Sequence, residues 1–448
     1  MPARRLSVSI VGLGYVGLCT AVTFASRGFP TLGVDIDSRR IKAIEKGETP
    51  FHEPRLDRLL KRGLRSKLLR VSDDASSAAE AEAIYIAVGT PSRRDGSINL
   101  EYVEGAARQI GASIRDIHGY RLVIVKSTVI PGTTSSKVRP ILEENAKKKV
   151  GPQMGLCVNP EFLSEGTAIR NALYPDKLVI GASDEQSGSR LRKIYRAFYG
   201  GKLPPTIMTN PETAELIKYS SNAFLATKVS YINTMANLAQ EVPGVDVESL
   251  AEAIGFDPRI GPLFLRAGPG YGGSCFHKDL QAIISYGRKV GYEPTLLREV
   301  EQVNEQQAAR VVGLAESLLG ELNEKRVAVL GIAFKKDTDD IREAASLRVI
   351  DLLRKRGAQV VAYDPMAMPN AKAVFEQSVE YATSPKAAIN EADCCIVMTE
   401  WDEFRKLKAK DYAQLMRSPN IVDARRIYEA ADFETVNFRA IGLGDRMS

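Results

Sequence analysis

A chain of 448 residues with 44% hydrophobic side chains is long for one core and has apolar surface enough for two or three domains. Its formal charge of +6 is small against 61 basic and 55 acidic residues, which are dispersed along the chain; this argues against nucleic acid as the main partner and favours, if anything, a small anionic substrate. Five irregularly spaced cysteines and three scattered histidines assemble neither a disulfide framework nor a metal site, and no apolar run approaches membrane-spanning length, so a cytoplasmic globular protein is expected, with no membrane partner.

The β-branched run Val8-Ser9-Ile10-Val11 predicts a first strand that ends in Gly12-Leu13-Gly14-Tyr15-Val16-Gly17. A helix-compatible segment, Leu18 to Arg27, follows, and a second apolar run closes at Asp35. This is a complete βαβ dinucleotide fingerprint: Gly12 permits the tight turn, Gly14 the approach of a pyrophosphate, and Gly17 close packing of helix on strand. Asp35 stands where an acid binds the adenosine ribose hydroxyls and repels a 2′-phosphate, so NAD is expected rather than NADP. Ala83 to Val88, Leu122 to Lys126, Gly155 to Val158 and Lys177 to Ile180 read as further buried parallel strands of a doubly wound α/β domain. From Pro211 to about Leu319 the pattern is helical, with the long segments Ala214 to Ala239 and Leu296 to Leu319; this region is the expected bridge and oligomer core. A second α/β unit follows, in which Arg326 to Phe334 enters a glycine turn, Ser346 to Arg356 is helical, and Val360 to Asp364 closes the unit. It echoes residues 8 to 35, but its glycine spacing is degraded, so it is expected to bind something other than the dinucleotide.

The residues richest in chemistry lie in Gly272-Gly273-Ser274-Cys275-Phe276-His277-Lys278-Asp279. Ser274 is the expected N-cap, which puts Cys275 in a first helical turn, where unpaired N–H groups and the macrodipole favour a thiolate. Lys278 and Asp279 fall over the same face. Lys218 and Asn222 are one helical turn apart and can address one point; Glu161 and Glu165 repeat that spacing. Any such pair taken alone is more often a solvated helix face.

Together, Gly12 to Gly17, Lys126-Ser127-Thr128-Val129, Asn159 to Gly166, Gly272 to Asp279 and Ala333 to Thr338 form an ordered set that resembles the nucleotide-sugar dehydrogenases over nearly the whole chain, and the UDP-glucose-oxidising branch in particular. The resemblance implies an α/β fold of two Rossmann-like doubly wound domains joined by a helical central domain, with boundaries at 1–205, 206–320 and 321–448. It also implies a homodimer, NAD as cofactor, and four-electron oxidation of the C6 hydroxyl of UDP-glucose to a carboxylate. It gives Cys275 the role of nucleophile, Lys218 that of proton transfer and, with Asn222, oxyanion stabilisation, Glu161 assistance to the hydrolytic water, and Thr128 and Asp279 the ordering of water and thiol. The implied cofactor contacts are Gly12, Gly14, Tyr15, Val16, Gly17, Asp35, Arg40, Thr90, Thr128, Glu165, Lys278 and Arg342. Those implied for the nucleotide sugar are Phe162, Leu163, Lys218, Asn222, Phe264, Leu265, Arg266, Tyr271, Gly272, Phe276, Lys335 and one of Arg425 and Arg426, with Arg259 reaching the substrate of the neighbouring subunit.

Three positions depart from the family pattern. His277 stands where proline is common, Arg55 where glycine is usual, and Pro131 is displaced from its common place after Thr128. None removes a catalytic group. A GDP-mannose-oxidising relative shares the thiol, lysine and cofactor parts, and Cys275-Phe276 in place of Cys-Leu favours UDP-glucose. A noncatalytic nucleotide-sugar sensor is opposed by the joint presence of Cys275, Lys218, Asn222 and Asp279.

Overall fold

A computed structural model describes residues 6–445. The chain forms two compact units, one ending at Ser221 and the other beginning at Asn222, and the division falls inside the helix Pro211–Gln240.

The sheet of the first unit has the strands β1 (Val8–Val11), β2 (Thr31–Val34), β3 (Leu69–Ser72), β4 (Ala83–Ile86), β5 (Arg121–Val125), β6 (Met154–Val158), β7 (Leu178–Ala182) and β8 (Thr206–Thr209), in the order β3-β2-β1-β4-β5-β6-β7-β8. The first six run parallel, in the 3-2-1-4-5-6 order of a doubly wound dinucleotide-binding sheet. Both faces are covered, so these strands are apolar without alternation. Leu122 and Ile124 join one core with Ile10, Tyr85 and Ile180, whereas Val123 and Val125 join the other with Ile84 and Ile86.

One strand departs from expectation. β7 runs antiparallel to β6, with Val158 opposite Gly181 and Cys157 opposite Ala182, and β8 then runs parallel to β7. A parallel return needs a crossover long enough to carry the chain back along the sheet, usually a full helix. Residues 159–177 hold only the short helix Ala168–Leu173, and the chain re-enters the sheet from the end at which it left. That detour keeps Glu161, Phe162, Leu163 and Glu165 beside the carboxyl ends of β5 and β6, the edge where open α/β sheets bind ligands.

The second unit carries β9 (Arg326–Leu330), β10 (Gln359–Tyr363), β11 (Glu380–Tyr381), β12 (Cys394–Val397), β13 (Asn420–Asp423) and β14 (Asn437–Ala440), all parallel, in the order β11-β10-β9-β12-β13-β14. The echo of the first βαβ unit thus extends to a whole second sheet of the same strand order. Ala308, Val311, Val312 and Ala315 of the helix Thr295–Leu319 pack into its core together with Ile232, Ala236 and Ala239 of the long helix. Gly320 ends the former helix with φ at 76°, the left-handed conformation that glycine adopts without a Cβ penalty. On the long helix, Phe224, Tyr231 and Leu238 recur every seven residues and are 65%, 50% and 58% exposed, an apolar stripe along one face.

Candidate active site

In the first unit the glycine turn is shaped for a dinucleotide. Gly12 has φ at 94°, and a Cβ on Gly17 would sit 1.7 Å from the Gly12 carbonyl oxygen, so both positions require glycine. A Cβ on Gly14 would meet nothing within 4 Å, and Gly14 heads the helix Tyr15–Ser26 without any side-chain cap. The first-turn N–H groups therefore face an approach that only a small residue leaves open, which fits a pyrophosphate. Asp35, 6% exposed, accepts hydrogen bonds from the Leu13 N–H at 2.7 Å, the Asp37 N–H at 2.9 Å and Arg40 Nη1 at 2.8 Å. Its carboxylate thus lies beside the turn, where a ribose diol can share it, and Arg40 is bound first of all to Asp35. Thr90 and Thr128 lie past the ends of β4 and β5, and the Ser127 hydroxyl donates to the Val88 carbonyl at 2.7 Å, joining the two segments.

The same edge of the sheet carries a cluster of charge. Lys218 Nζ lies 2.8 Å from Glu161 Oε1, with side chains 5% and 6% exposed. Glu161 also accepts the Leu163 N–H at 2.5 Å. Burial alone would push its carboxyl up, but Lys218, the Leu163 amide and Lys126 outweigh it, so the carboxyl is held below its usual range. Phe162 lies under two cations, with Lys177 Nζ 4.2 Å and Lys218 Nζ 5.7 Å from its ring centroid. Glu53, 4% exposed, accepts the Gly166 N–H at 2.8 Å and bonds the Tyr15 hydroxyl, so the cofactor turn is tied to the loop that bears Glu165.

In the second unit Cys275 occupies the N-cap of the helix Phe276–Lys289, with φ −106° and ψ −56°. Ser274, expected as the cap, stands one residue earlier, its hydroxyl 3.5 Å from the Cys275 sulfur. The displacement follows from Gly270 and Gly273, whose φ values of 101° and 81° prolong the turn. A Cβ on Gly273 would come within 2.9 Å of the Phe334 ring, and one on Gly272 within 2.6 Å of the Glu343 carbonyl oxygen, so the turn can lie here only as glycine. The Gly273 N–H donates to the Arg342 carbonyl at 2.8 Å, which links the thiol's turn to the loop after β9. Asp279, 2% exposed, accepts the Asn222 amide at 2.6 Å and Lys278 Nζ at 2.6 Å, and its own N–H donates to the Cys275 carbonyl at 2.9 Å. One carboxylate thereby orients the amide expected to face an oxyanion. His277 pairs with the buried Glu301, which also accepts the Tyr271 hydroxyl at 3.2 Å; the bond to Glu301 holds the imidazole protonated above its usual range.

The residues expected to hold the nucleotide sugar fall into distinct settings. Phe276 stacks edge-on against Tyr271 at 5.6 Å and lies 6.3 Å from Phe264, while Lys335 Nζ is 5.3 Å from the Phe334 ring. Arg425 donates to the carbonyls of Met398 at 2.8 Å and Phe334 at 2.7 Å, bridging the loops that follow β12 and β9. Arg426, 7% exposed, is committed to Asp246 through bonds of 2.8 and 2.9 Å, so of the two arginines Arg425 is the one left at the ligand-binding edge. Leu265 puts its side chain in the core, whereas Arg266 is exposed. Arg259 and Arg342 are exposed and each clasps a nearby acid, Asp257 and Asp340, at 2.6 Å.

Asp364 explains why the second sheet is no second dinucleotide site. It closes β10 as Asp35 closes β2, but is 1% exposed and accepts the N–H groups of Ile332, Ala333, Met366 and Ala367 and the Trp401 indole, at 2.8 to 3.1 Å. No lone pair remains for a ribose.

The three segments match three family models in order: the NAD-binding domain of the UDP-glucose/GDP-mannose dehydrogenases over residues 6–199, their central domain over 212–306 and their UDP-binding domain over 328–430. The chain belongs to the UDP-glucose/GDP-mannose dehydrogenase family. It is 41% identical over 436 residues to the UDP-glucose 6-dehydrogenase AglM of Haloferax volcanii, a match that covers 96% of this chain and 100% of that protein. Its structure is similar to that of a UDP-glucose dehydrogenase from Pyrobaculum islandicum, with a TM-score of 0.91, 39% identity and 99% of each chain covered. It also resembles a UDP-D-ManNAc dehydrogenase from Pyrococcus horikoshii, with a TM-score of 0.87 and 30% identity over 98% of this chain and 100% of the other. The protein is therefore an NAD-dependent nucleotide-sugar dehydrogenase with a UDP-binding domain.

In this dehydrogenase several supporting residues gave little sign of themselves in sequence. Glu53 lay in a loop segment, Glu301 in a helix, and Asp364 looked only like an imperfect copy of Asp35. Lys126 was the more legible one, since a lysine that directly ends an apolar strand must find a partner in a largely dry setting. Among the described residues no group of three or more His, Cys, Asp or Glu could hold a metal ion, and no helix is long and apolar enough to cross a membrane.

Proposed function

We propose that the protein oxidises UDP-glucose at C6 to UDP-glucuronate, with Cys275 holding the intermediate between two oxidations. NAD supplies the hydride acceptor in each oxidation. Lys218 takes the C6 hydroxyl proton at Nζ as the alcohol becomes an aldehyde. The Cys275 thiolate adds to that aldehyde, and Lys218 and the Asn222 amide stabilise the oxyanion of the thiohemiacetal. Loss of the second hydride leaves a thioester. Glu161 then accepts a proton from the water that adds to the carbonyl, the C–S bond breaks, and the carboxylate leaves with the thiolate restored. The observation that carries this reading is Cys275 at the head of a helix, in the unit where Asp279 fixes the Asn222 amide at 2.6 Å.

The sugar is assigned from the names of the full-length relatives together with the Cys275-Phe276 pair. NADH formation with UDP-glucose, UDP-N-acetylmannosamine and GDP-mannose tests it: UDP-glucose should give the highest kcat/KM with two NADH per sugar, and a higher value for either of the others overturns the assignment. A homodimer is part of the same reading, supported by the exposed stripe Phe224, Tyr231 and Leu238. Arg259 would reach the neighbouring subunit's substrate, so mixed Arg259→Ala and Lys218→Ala subunits should regain activity, whereas demonstrated hybrids no more active than either parent contradict sharing.

A further inference from the structure

One buried lysine takes no part in the steps above. Lys126 directly follows β5 and is 9% exposed, and its Nζ donates to Asn159 Oδ1 at 3.0 Å. Asn159, 1% exposed just past β6, cannot turn away: its oxygen also accepts the Tyr195 hydroxyl at 2.5 Å, and its Nδ2 donates to the Val179 carbonyl at 2.9 Å. Two residues on, Glu161 grips Lys218 at 2.8 Å. The ends of adjacent strands thus carry Lys126 and Glu161, and the long helix carries Lys218, to one dry edge of the sheet.

The charged groups that face Lys126 are Glu161, which favours its protonation, and Lys218, which opposes it. Burial is the largest influence and, with Lys218, brings the Lys126 ammonium down to about 8. Tyr195 is kept protonated by burial and adds no charge. Lys177, over the same Phe162 ring, faces Lys218 as a further cation, and the proton on Lys126 is weakly held. Coupling of this kind is reciprocal: the repulsion that loosens the proton on Lys126 equally loosens the proton on Lys218.

We propose that Lys126 is a positioning residue that lowers the proton affinity of Lys218 and so lets it accept the C6 hydroxyl proton near neutral pH. The proposal rests on the reading of Lys218 as proton acceptor. Removing the Lys126 charge has two effects of one sign on Lys218: it ends the repulsion, and it leaves Glu161 with one cation fewer to favour. Both make Lys218 hold its proton more tightly.

The test is the pH profile of kcat/KM for UDP-glucose between about pH 5.5 and 9.5, with melting curves, for wild type, Lys126→Met, Lys126→Arg and Lys218→Met. Lys126→Met, which puts an apolar group of similar length in place of a buried charge, should fold. Its acid limb should move up by about one pH unit, a roughly tenfold loss near pH 6.5 that disappears toward pH 9. Lys126→Arg, charged throughout, should keep the wild-type limb; if it fails to fold, the limb of Lys126→Met decides alone. An unmoved limb with a loss uniform in pH, the mark of a merely structural lysine, overturns the proposal, and so does a limb that moves down. A Lys218→Met protein with wild-type activity would instead overturn the reading of Lys218 and the proposal with it.

Discussion

Replacing Lys218 with methionine should invert the pH dependence that Glu161 gives to stability. In the wild-type protein the Glu161 carboxyl is held below its ordinary value of 4.5, because Lys218, the Leu163 amide and Lys126 together outweigh burial. A carboxyl with a lowered folded value contributes stability that is present above the unfolded value and lost as pH falls through the folded one. Without Lys218 the balance tips to burial, and the carboxyl rises above its ordinary value. Ionised Glu161 then destabilises the fold at neutral pH, and acid relieves it. Breaking a buried pair by removing one partner costs about 3–5 kcal/mol. Lys126 still faces Glu161, so the low end, about 3 kcal/mol, is expected, a Tm loss of roughly 6–12 °C for a unit of this size. Glu161→Gln in the same background should recover most of that loss, and the double-mutant cycle should show a coupling of about 2 kcal/mol. Thermal unfolding at about pH 5 and pH 8 reads both effects, with the Lys218→Met protein relatively more stable at the lower pH. An equal Tm loss at both pH values, or no recovery in the double variant, would refute the reasoning.

Three other consequences are open to measurement. Asp35→Asn removes the charge that opposes a 2′-phosphate and frees Arg40 to meet it, so the NADP-to-NAD ratio of kcat/KM should rise about tenfold or more; an unchanged ratio contradicts the role of Asp35. Arg55 heads the helix Leu56–Arg65 with φ at 73°, a conformation that costs a side chain about 1–2 kcal/mol and glycine little. Glycine's extra unfolded-state entropy offsets about 0.5–1 kcal/mol of this, so Arg55→Gly should raise Tm by roughly 1–4 °C, and a lower Tm argues for a stabilising contact of the arginine. The His277–Glu301 pair raises the imidazole above its ordinary 6.5, so its stabilisation is complete below that value and is lost as pH rises through the folded one. Urea midpoints of the wild type should fall between about pH 6 and 9 by more than those of Glu301→Gln, and parallel curves would show that the pair contributes nothing.

The fold was legible where local pattern and global architecture agree. Gly12, Gly14, Gly17 and Asp35 each have a local reason for their identity, and the apolar runs at Ala83, Leu122 and Gly155 could be little else than buried parallel strands. The reversal of β7 was not legible, because its composition suits either direction and the choice is made by the loop before it. At the site, the pairs one helical turn apart did not name the partners that the structure gives these residues. Glu161 and Glu165 suggested each other, yet Glu161 is bound to Lys218; Lys218 and Asn222 suggested one shared point, yet Asn222 is bound to Asp279. Contacts between distant segments decide such partnerships, and neighbour spacing carries no record of them. Ser274 shows the same limit at smaller scale, since cap preference named it while the conformations of Gly270 and Gly273 moved the helix start to Cys275.

The covalent role of Cys275 is tested most directly by intact-protein mass spectrometry during turnover with UDP-glucose and NAD, read beside the NADH yield. The wild type should form two NADH per UDP-glucose without releasing appreciable aldehyde, and Cys275→Ser, with a poor nucleophile and a poor leaving group, should stall as a slowly hydrolysed ester whose mass is visible on the protein. Cys275→Ala should carry no adduct at this position and should not complete the second oxidation. Undiminished four-electron oxidation by Cys275→Ala would contradict the account.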